Sequence, residues 1–270
     1  MLGKLLKYDL RYIYKYWWIA AVASFAASFL GAGCIKVMES DRQLPSVVET
    51  MAIIGMILVI IAFVAFAIFG MVIAFIRFYR NLFTDEGYLT FTLPAKISDI
   101  IGAKLIAGTL TVISSTVMLF VDVFLMLWIT YGEEVPEMIG DFIEDCFEQL
   151  GFYFPLYVLE IIAIGVAFVV FGTLFSFICI SISRMVIKKA RVITAIGIYY
   201  LASNGFSFMT QIVGIFGSQA VSTWLADMPE NEVNITVSLI LLAMFLISAI
   251  IGTVLYIIQH KILQSKLNLA

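Results

Sequence analysis

The chain has 270 residues, of which 63% are hydrophobic and only 13% are charged, and its net charge is -3. Its mean hydropathy of +1.07 excludes an ordinary soluble domain, whose apolar fraction is nearer to about one half. The apolar runs are continuous rather than alternating, which is typical of helical spans and not of a β-barrel. The sequence therefore predicts an all-α integral membrane protein.

The first 16 residues predict an amphipathic helix. Apolar and basic side chains each recur at steps of three or four, the first set being Leu2, Leu6, Leu10, Ile13 and Trp17 and the second Lys4, Lys7, Arg11 and Lys15. A helix with one apolar and one basic face is suited to the headgroup layer. We therefore expect an interface helix over residues 1–16, whose charges also favour a cytosolic N-terminus.

Six apolar runs are long enough to cross a bilayer, whose core of about 30 Å takes roughly 20 helical residues. The predicted spans cover residues 17–35, 51–76, 105–130, 152–183, 192–212 and 235–258. The first run lacks a signal-peptide cleavage site, so we expect it to remain as a span. The whole chain, 1–270, is then a single transmembrane domain.

The segment from Val192 to Ala226 carries no charge and is too long for one upright helix. Polar and glycine residues near Gln211 favour a span that ends at about Ile212. A re-entrant or interfacial outer segment would then precede the last span. The alternative is one long, tilted helix.

The distribution of lysine and arginine predicts the topology. The first, third and fifth loops hold 2 of these residues, and the remaining non-membrane segments hold 14. By the positive-inside rule both termini are cytosolic. The third loop is acidic, and among its acidic residues apolar side chains recur at helical spacing, namely Phe142, Ile143, Phe147 and Leu150. This pattern favours a short outer helix that lies on the membrane.

The inventory of reactive residues argues against catalysis by this chain. The only histidine, His260, follows the last span, so a serine–histidine pair or a histidine-bound metal inside the membrane is excluded. Cys34, Cys146 and Cys179 lack metal-like spacing and are expected to be packing residues. A disulfide between Cys34 and Cys146 stays open. We predict no catalytic site, no metal and no cofactor in the chain.

Two carboxylates fall within the predicted spans, Asp122 in the third and Glu160 in the fourth. Ionisable residues in spans usually point into the bundle and often mark a transport path. Alternatively, each lies near enough to the outer interface to reach water or a neighbouring hydroxyl. The sequence leaves both interpretations open.

The predicted cytosolic loop over residues 77–104 carries the most specific pattern. Its sequence from Tyr79, YRNLFTDEGYLTFTLPAKISDIIGAK, contains an acidic and glycine stretch, a leucine-rich turn, a proline and then a polar helix start and a lysine. This order resembles the corresponding loop of permease subunits in the bacterial type 2 ABC exporter family. The residues that carry the resemblance are Asp85, Glu86, Gly87, Leu89, Leu93, Pro94, Ser98 and Lys104.

The resemblance implies a coupling helix that docks onto a separate cytosolic ABC ATPase. The residues expected to couple to the ATPase are Thr84, Asp85, Glu86, Gly87, Tyr88 and Leu89. The chain has no G-x-x-x-x-G-K-[ST] motif, so ATP and Mg²⁺ are expected on the partner. The resemblance also implies a second permease copy or a similar permease, a bacterial plasma membrane, and transmission of ATPase closure through residues 81–93 into the N-terminal helix.

The few polar groups in the spans favour an amphipathic or hydrophobic cargo, such as a peptide, an antibiotic or a lipid, and nothing predicts a nucleic-acid partner. Two other functions stay open. One is an ATP-independent, ion-coupled carrier that uses Asp122 and Glu160. The other is a membrane scaffold or sensor without transport.

Overall fold

The computed structural model describes residues 1–40, 45–84, 87, 92, 95–186, 191–226 and 228–267. Within these ranges there is no β-strand, and the predicted all-α class is confirmed. The long helices are α1 (Leu2–Met38), α2 (Ser46–Phe83), α3 (Ile97–Tyr131), α4 (Glu134–Leu150), α5 (Tyr153–Val186), α6 (Arg191–Ala226) and α7 (Glu230–Leu267).

Among the described residues, five helical segments are long and apolar enough to cross a membrane. They are Leu2–Met38, Ser46–Phe83, Ile97–Tyr131, Tyr153–Ser183 and Glu232–Ser265, and they match the predicted first, second, third, fourth and sixth spans. The predicted fifth span, 192–212, lies in α6, which is not among them. Large apolar side chains such as Ile57, Phe120 and Ile162 are exposed on them. Such surfaces suit lipid, so the chain has the character of a multi-pass membrane protein.

The chain divides into two compact units. The first contains Met1–Leu82 and Asp99–Gln149, and the second continues from Leu150. In the first unit, α1 runs antiparallel to α2 and parallel to α3. Near its start Asp9 contacts Arg77 and Lys104, and near its end Ala32 packs with Val59 and Met126.

Helix α1 is continuous for 37 residues, or about 55 Å at the rise of an α-helix. The interface helix predicted for residues 1–16 is therefore not seen as an independent element, because it extends the first span. Its inner face is buried against the neighbouring helices, where Ile13 packs with Ile73 and Ala107. One turn later Trp17 packs with Phe66.

Small residues let the three helices of the first unit approach closely. A Cβ at Gly70 of α2 would overlap the Ser115 hydroxyl of α3, and one at Gly31 of α1 would overlap the Met126 sulfur. Small residues serve the same purpose in other membrane bundles, where close backbone approach provides the packing energy.

In the second unit, α5 packs against both α6 and α7. Tyr157 near the start of α5 bonds to Asn234 near the start of α7, and Ser181 near the end of α5 bonds to Gln259 near the end of α7. The two helices are therefore parallel. Helix α6, which connects them, runs unbroken over Arg191–Ala226, so the predicted break near Ile212 is not seen and the chain follows the alternative of one long helix.

The acidic third loop forms the predicted helix, α4. It is bounded by two glycines in the left-handed region, Gly132 with φ 63° and Gly151 with φ 54°, a conformation that ends helices and favours glycine. The three cysteines are unbonded.

Candidate functional site

A buried ion cluster joins the first three helices at one end of the first unit. The Asp9 carboxylate, 2% exposed as a residue, accepts from Lys104 Nζ at 2.7 Å through Oδ1 and at 2.6 Å through Oδ2. Its Oδ1 also accepts from Arg77 Nε at 2.9 Å and from Asn81 Nδ2 at 3.2 Å. We call Asp9, Arg77, Asn81 and Lys104 the Asp9 cluster.

The Asp9 cluster brackets the segment that resembles a coupling loop. Arg77 and Asn81 lie in the last turns of α2, which ends at Phe83, and Lys104 lies in the second turn of α3, which begins at Ile97. One carboxylate on α1 thus holds the helix before the loop and the helix after it. A displacement of the loop that moves either helix end acts directly on α1.

Tyr12 extends the contact between α1 and α2. The Arg77 guanidinium carbon lies 4.5 Å from the centroid of the Tyr12 ring, within cation–π range. Arg80 Nη1 donates to the Tyr12 hydroxyl at 3.1 Å. The two arginines therefore meet one tyrosine of α1 beside the Asp9 carboxylate.

The electrostatics of the cluster favour specificity over net stability. Burying a carboxylate and an ammonium costs much of what their attraction returns, while the removal of one partner leaves a buried charge uncompensated. Lys104 is 6% exposed and Asp9 2%, so neither has ready access to water as a substitute. We therefore expect the cluster to fix the register of α1 against α2 and α3.

A second polar contact lies further along the same helices. Trp17 Nε1 donates to Ser115 Oγ at 2.8 Å, and the Ser115 hydroxyl donates to the carbonyl of Thr111 at 2.9 Å. Gly70 of α2 lies directly against Ser115. All three helices therefore meet at this level as well, and α1 follows α2 and α3 along much of its length.

Only part of the predicted coupling segment can be placed. Thr84 is exposed in a bend directly after α2, and its carbonyl accepts from the Gly87 amide at 2.8 Å. Asp85, Glu86, Tyr88 and Leu89 lie outside the described residues, so their role stays a prediction.

Asp122, one of the two predicted intramembrane carboxylates, is fully buried in α3 at 0% exposure. The side chain of Ser24 on α1 is its polar neighbour. The Ser24 hydroxyl donates to the carbonyl of Ala21 at 3.0 Å, however, and neither Asp122 oxygen has a hydrogen-bond partner among the described residues.

Glu160 belongs to the second unit and has a different setting. Its Oε1 accepts from the Ser238 hydroxyl of α7 at 2.6 Å, while Oε2 has no partner in the described part of the chain. One turn earlier, the Tyr157 hydroxyl donates to the Asn234 carbonyl at 2.9 Å. Glu160 thus helps to join α5 to α7.

The sequence reasoning missed Asp9, although a signal was available. Asp9 falls on the apolar stripe of α1, four residues before Ile13 and eight before Trp17, and residues at this spacing share one helix face. An acid on the apolar face of a basic segment predicts a buried cationic partner, and Lys104 and Arg77 flank the opposing loop.

Comparison of the chain with protein-family models, with curated proteins and with solved structures finds no match. Among the described residues, no group of three histidine, cysteine, aspartate or glutamate side chains is placed to hold a metal ion.

Proposed function

We propose that the chain is the permease subunit of an ATP-driven exporter of the type 2 ABC class in a bacterial plasma membrane. The observation that carries the proposal is the Asp9 cluster, because it ties the N-terminal helix to both ends of the segment that resembles a coupling loop. Separate ATPase subunits would bind and hydrolyse ATP, and a second permease copy would complete the transporter.

The contacts provide a mechanical route for coupling. An ATPase that closes against residues 84–96 would move the end of α2 and the start of α3 together. Asp9 bonds to both helices, so α1 has to follow. Because α1 stays packed against α2 and α3 as far as Ala32, the movement reaches the opposite end of the bundle through packed side chains, as long-range coupling requires.

The proposal includes six crossings with both termini in the cytosol. Helices α5 and α7 are parallel, as the Tyr157–Asn234 and Ser181–Gln259 contacts indicate. If both cross the membrane in one direction, α6 has to return in the other. Its 36 residues extend about 54 Å, which is long enough to do so.

Cysteine labelling tests this topology. In a variant whose native cysteines are replaced, Trp224→Cys at the exposed end of α6 should react with an impermeant maleimide from outside intact cells. Gln264→Cys in α7 should react only after the cells are opened. Labelling of both residues from the same side would show that α6 and α7 do not cross as proposed.

Reconstitution with the ATPase tests the function itself. Lys104→Met removes one cation of the Asp9 cluster, and Lys261→Met is the control at an exposed lysine of α7. In vesicles we expect Lys104→Met to retain bound ATPase activity but to lower ATP-driven export of a labelled amphipathic peptide at least tenfold, while Lys261→Met exports normally. Equal export by both folded variants would remove the Asp9 cluster from the mechanism.

A second candidate function is ion-coupled carriage without ATP. It is favoured by the unpartnered oxygens of Asp122 and Glu160, because buried carboxylates often mark ion paths in membrane proteins. Transport by the purified chain in vesicles without ATPase, abolished by Asp122→Asn with Glu160→Gln, would support this function. Retained transport in the double variant would remove it.

A further inference from the structure

Asp122 is the only ionisable side chain in a long layer of the first unit. On α3 no other acidic, basic, tyrosine or cysteine residue occurs between Lys104 and Tyr131. On α2 none occurs between Glu49 and Arg77, and on α1 none occurs between Tyr16 and Cys34. The nearest ionisable groups on the three packed helices therefore lie at the ends of this layer.

Asp122 lies far along α3 from the ionisable groups at both ends of this layer. It follows Lys104 by 18 residues and precedes Tyr131 by nine, or about 27 Å and 13 Å at helical rise. The Asp9 cluster lies at the first end, and Glu39 bonds to Tyr131 at the second. No cation of these helices is close enough to pair with an Asp122 carboxylate.

The hydrogen bonds near Asp122 also leave its carboxyl group without a partner in the described part of the chain. The Ser24 hydroxyl donates to the Ala21 carbonyl at 3.0 Å, and neither Asp122 oxygen has a hydrogen-bond partner among the described residues. Ser28, buried one turn later, donates to the carbonyl of Ser24 at 3.4 Å. These two hydroxyls on α1 thus bond to their own helix, and the described residues supply no hydrogen-bond donor to the Asp122 carboxyl group.

We propose that Asp122 is a proton-binding site, a neutral carboxylic acid held between α1 and α3. A fully buried carboxylate without a counter-charge or donor is strongly disfavoured, and a buried carboxyl group in that setting takes up a proton instead. Loss of the proton to water would require hydration of the site. At 0% exposure, the packed helices do not supply that hydration.

Infrared spectroscopy of the full chain in phosphatidylcholine vesicles tests the protonation directly. At neutral pH we expect the carbonyl stretch of a protonated carboxylic acid, which Asp122→Asn removes and Glu160→Gln leaves in place. A spectrum in which Asp122→Asn changes only carboxylate bands would overturn the proposal.

Thermal stability provides a second test, because the same aspartate-to-asparagine substitution can be made at two buried positions, Asp122 and Asp9. Asp122→Asn keeps a neutral side chain with a donor, so its melting temperature should stay within about 2 °C of that of the wild type. Asp9→Asn removes a paired charge and should lower it markedly. A loss at Asp122 as large as that at Asp9 would show that Asp122 acts as a charged group. Neither measurement depends on ATPase binding, so this proposal stands or fails separately from the exporter function.

Discussion

Asp9 and Lys104 are 95 residues apart in sequence and form a buried ion pair with Nζ 2.6 Å from Oδ2. The pair joins the N-terminal helix to the first turns of the third helix, and Arg77 adds the end of the second. A single carboxylate therefore governs how three helices meet beside the segment that resembles a coupling loop.

Asp9→Asn should destabilise the protein by about 3–5 kcal/mol, the usual cost of breaking a buried ion pair from one side. The substitution removes the carboxylate from both Lys104 and Arg77. Thermal unfolding in detergent, followed by circular dichroism, measures the loss. Asp141→Asn on the exposed face of α4 is the control and should melt as the wild type does. Matching melting curves for the two variants would contradict the role given to Asp9.

Trp17→Phe should cost about 0.5–1.5 kcal/mol, the net value of a typical hydrogen bond. It removes the bond to Ser115 but retains an aromatic ring against Phe66. Trp18→Phe alters the neighbouring ring, which is 60% exposed, and should have little effect in the same melting assay. Equal effects of the two substitutions would show that the indole hydrogen bond adds nothing.

Gly70→Ala should destabilise the first unit by about 1–3 kcal/mol, as overpacking generally does. The added methyl group would overlap the Ser115 hydroxyl and disturb its bond to Trp17. Gly33→Ala is the matched control, since a Cβ there meets no atom within 4 Å. It should be neutral or slightly stabilising because alanine favours a helix more than glycine does. Similar melting temperatures for both variants would argue against close packing of α2 on α3.

Ser181→Ala should cost about 1–3 kcal/mol by leaving the buried Gln259 amide without its partner. Gln259 is 0% exposed, and its Nε2 donates to Ser181 Oγ at 2.9 Å. The double variant Ser181→Ala with Gln259→Leu removes both polar groups and should regain much of the lost stability. A double variant less stable than Ser181→Ala alone would contradict the parallel contact of α5 and α7.

The sequence predicts the elements of this fold better than their extents. Apolar length predicts six spans, and five of them correspond to described helices that are long and apolar enough to cross a membrane. Helical spacing around Phe142 and Phe147 predicts α4. The continuity of α1 is harder to predict, because its amphipathic pattern fits a membrane surface as well as a neighbouring helix. What decides between them is the pairing of Asp9 with Lys104, a contact across 95 residues that local patterns do not contain.

Part of the candidate site can likewise be predicted from the sequence, and part of it cannot. Asp122 and Glu160 are visible in the sequence as charges within apolar runs, but their settings differ for reasons that spacing does not show. Ser238 of α7 donates to Glu160, while neither oxygen of Asp122 has a hydrogen-bond partner among the described residues. The partners of a polar group depend on tertiary packing, so only the structure separates the two carboxyl groups.

The central claim is that a separate ATPase binds the loop between α2 and α3, and affinity purification from native membranes in mild detergent tests it most directly. We expect the wild-type chain to retain a subunit with a phosphate-binding loop and vanadate-sensitive ATP hydrolysis. Glu86→Lys should lose this subunit while the chain stays inserted, and Glu144→Lys on α4 should keep it. Recovery of the wild-type chain without an ATPase, or equal retention by Glu86→Lys and Glu144→Lys, would contradict the claim.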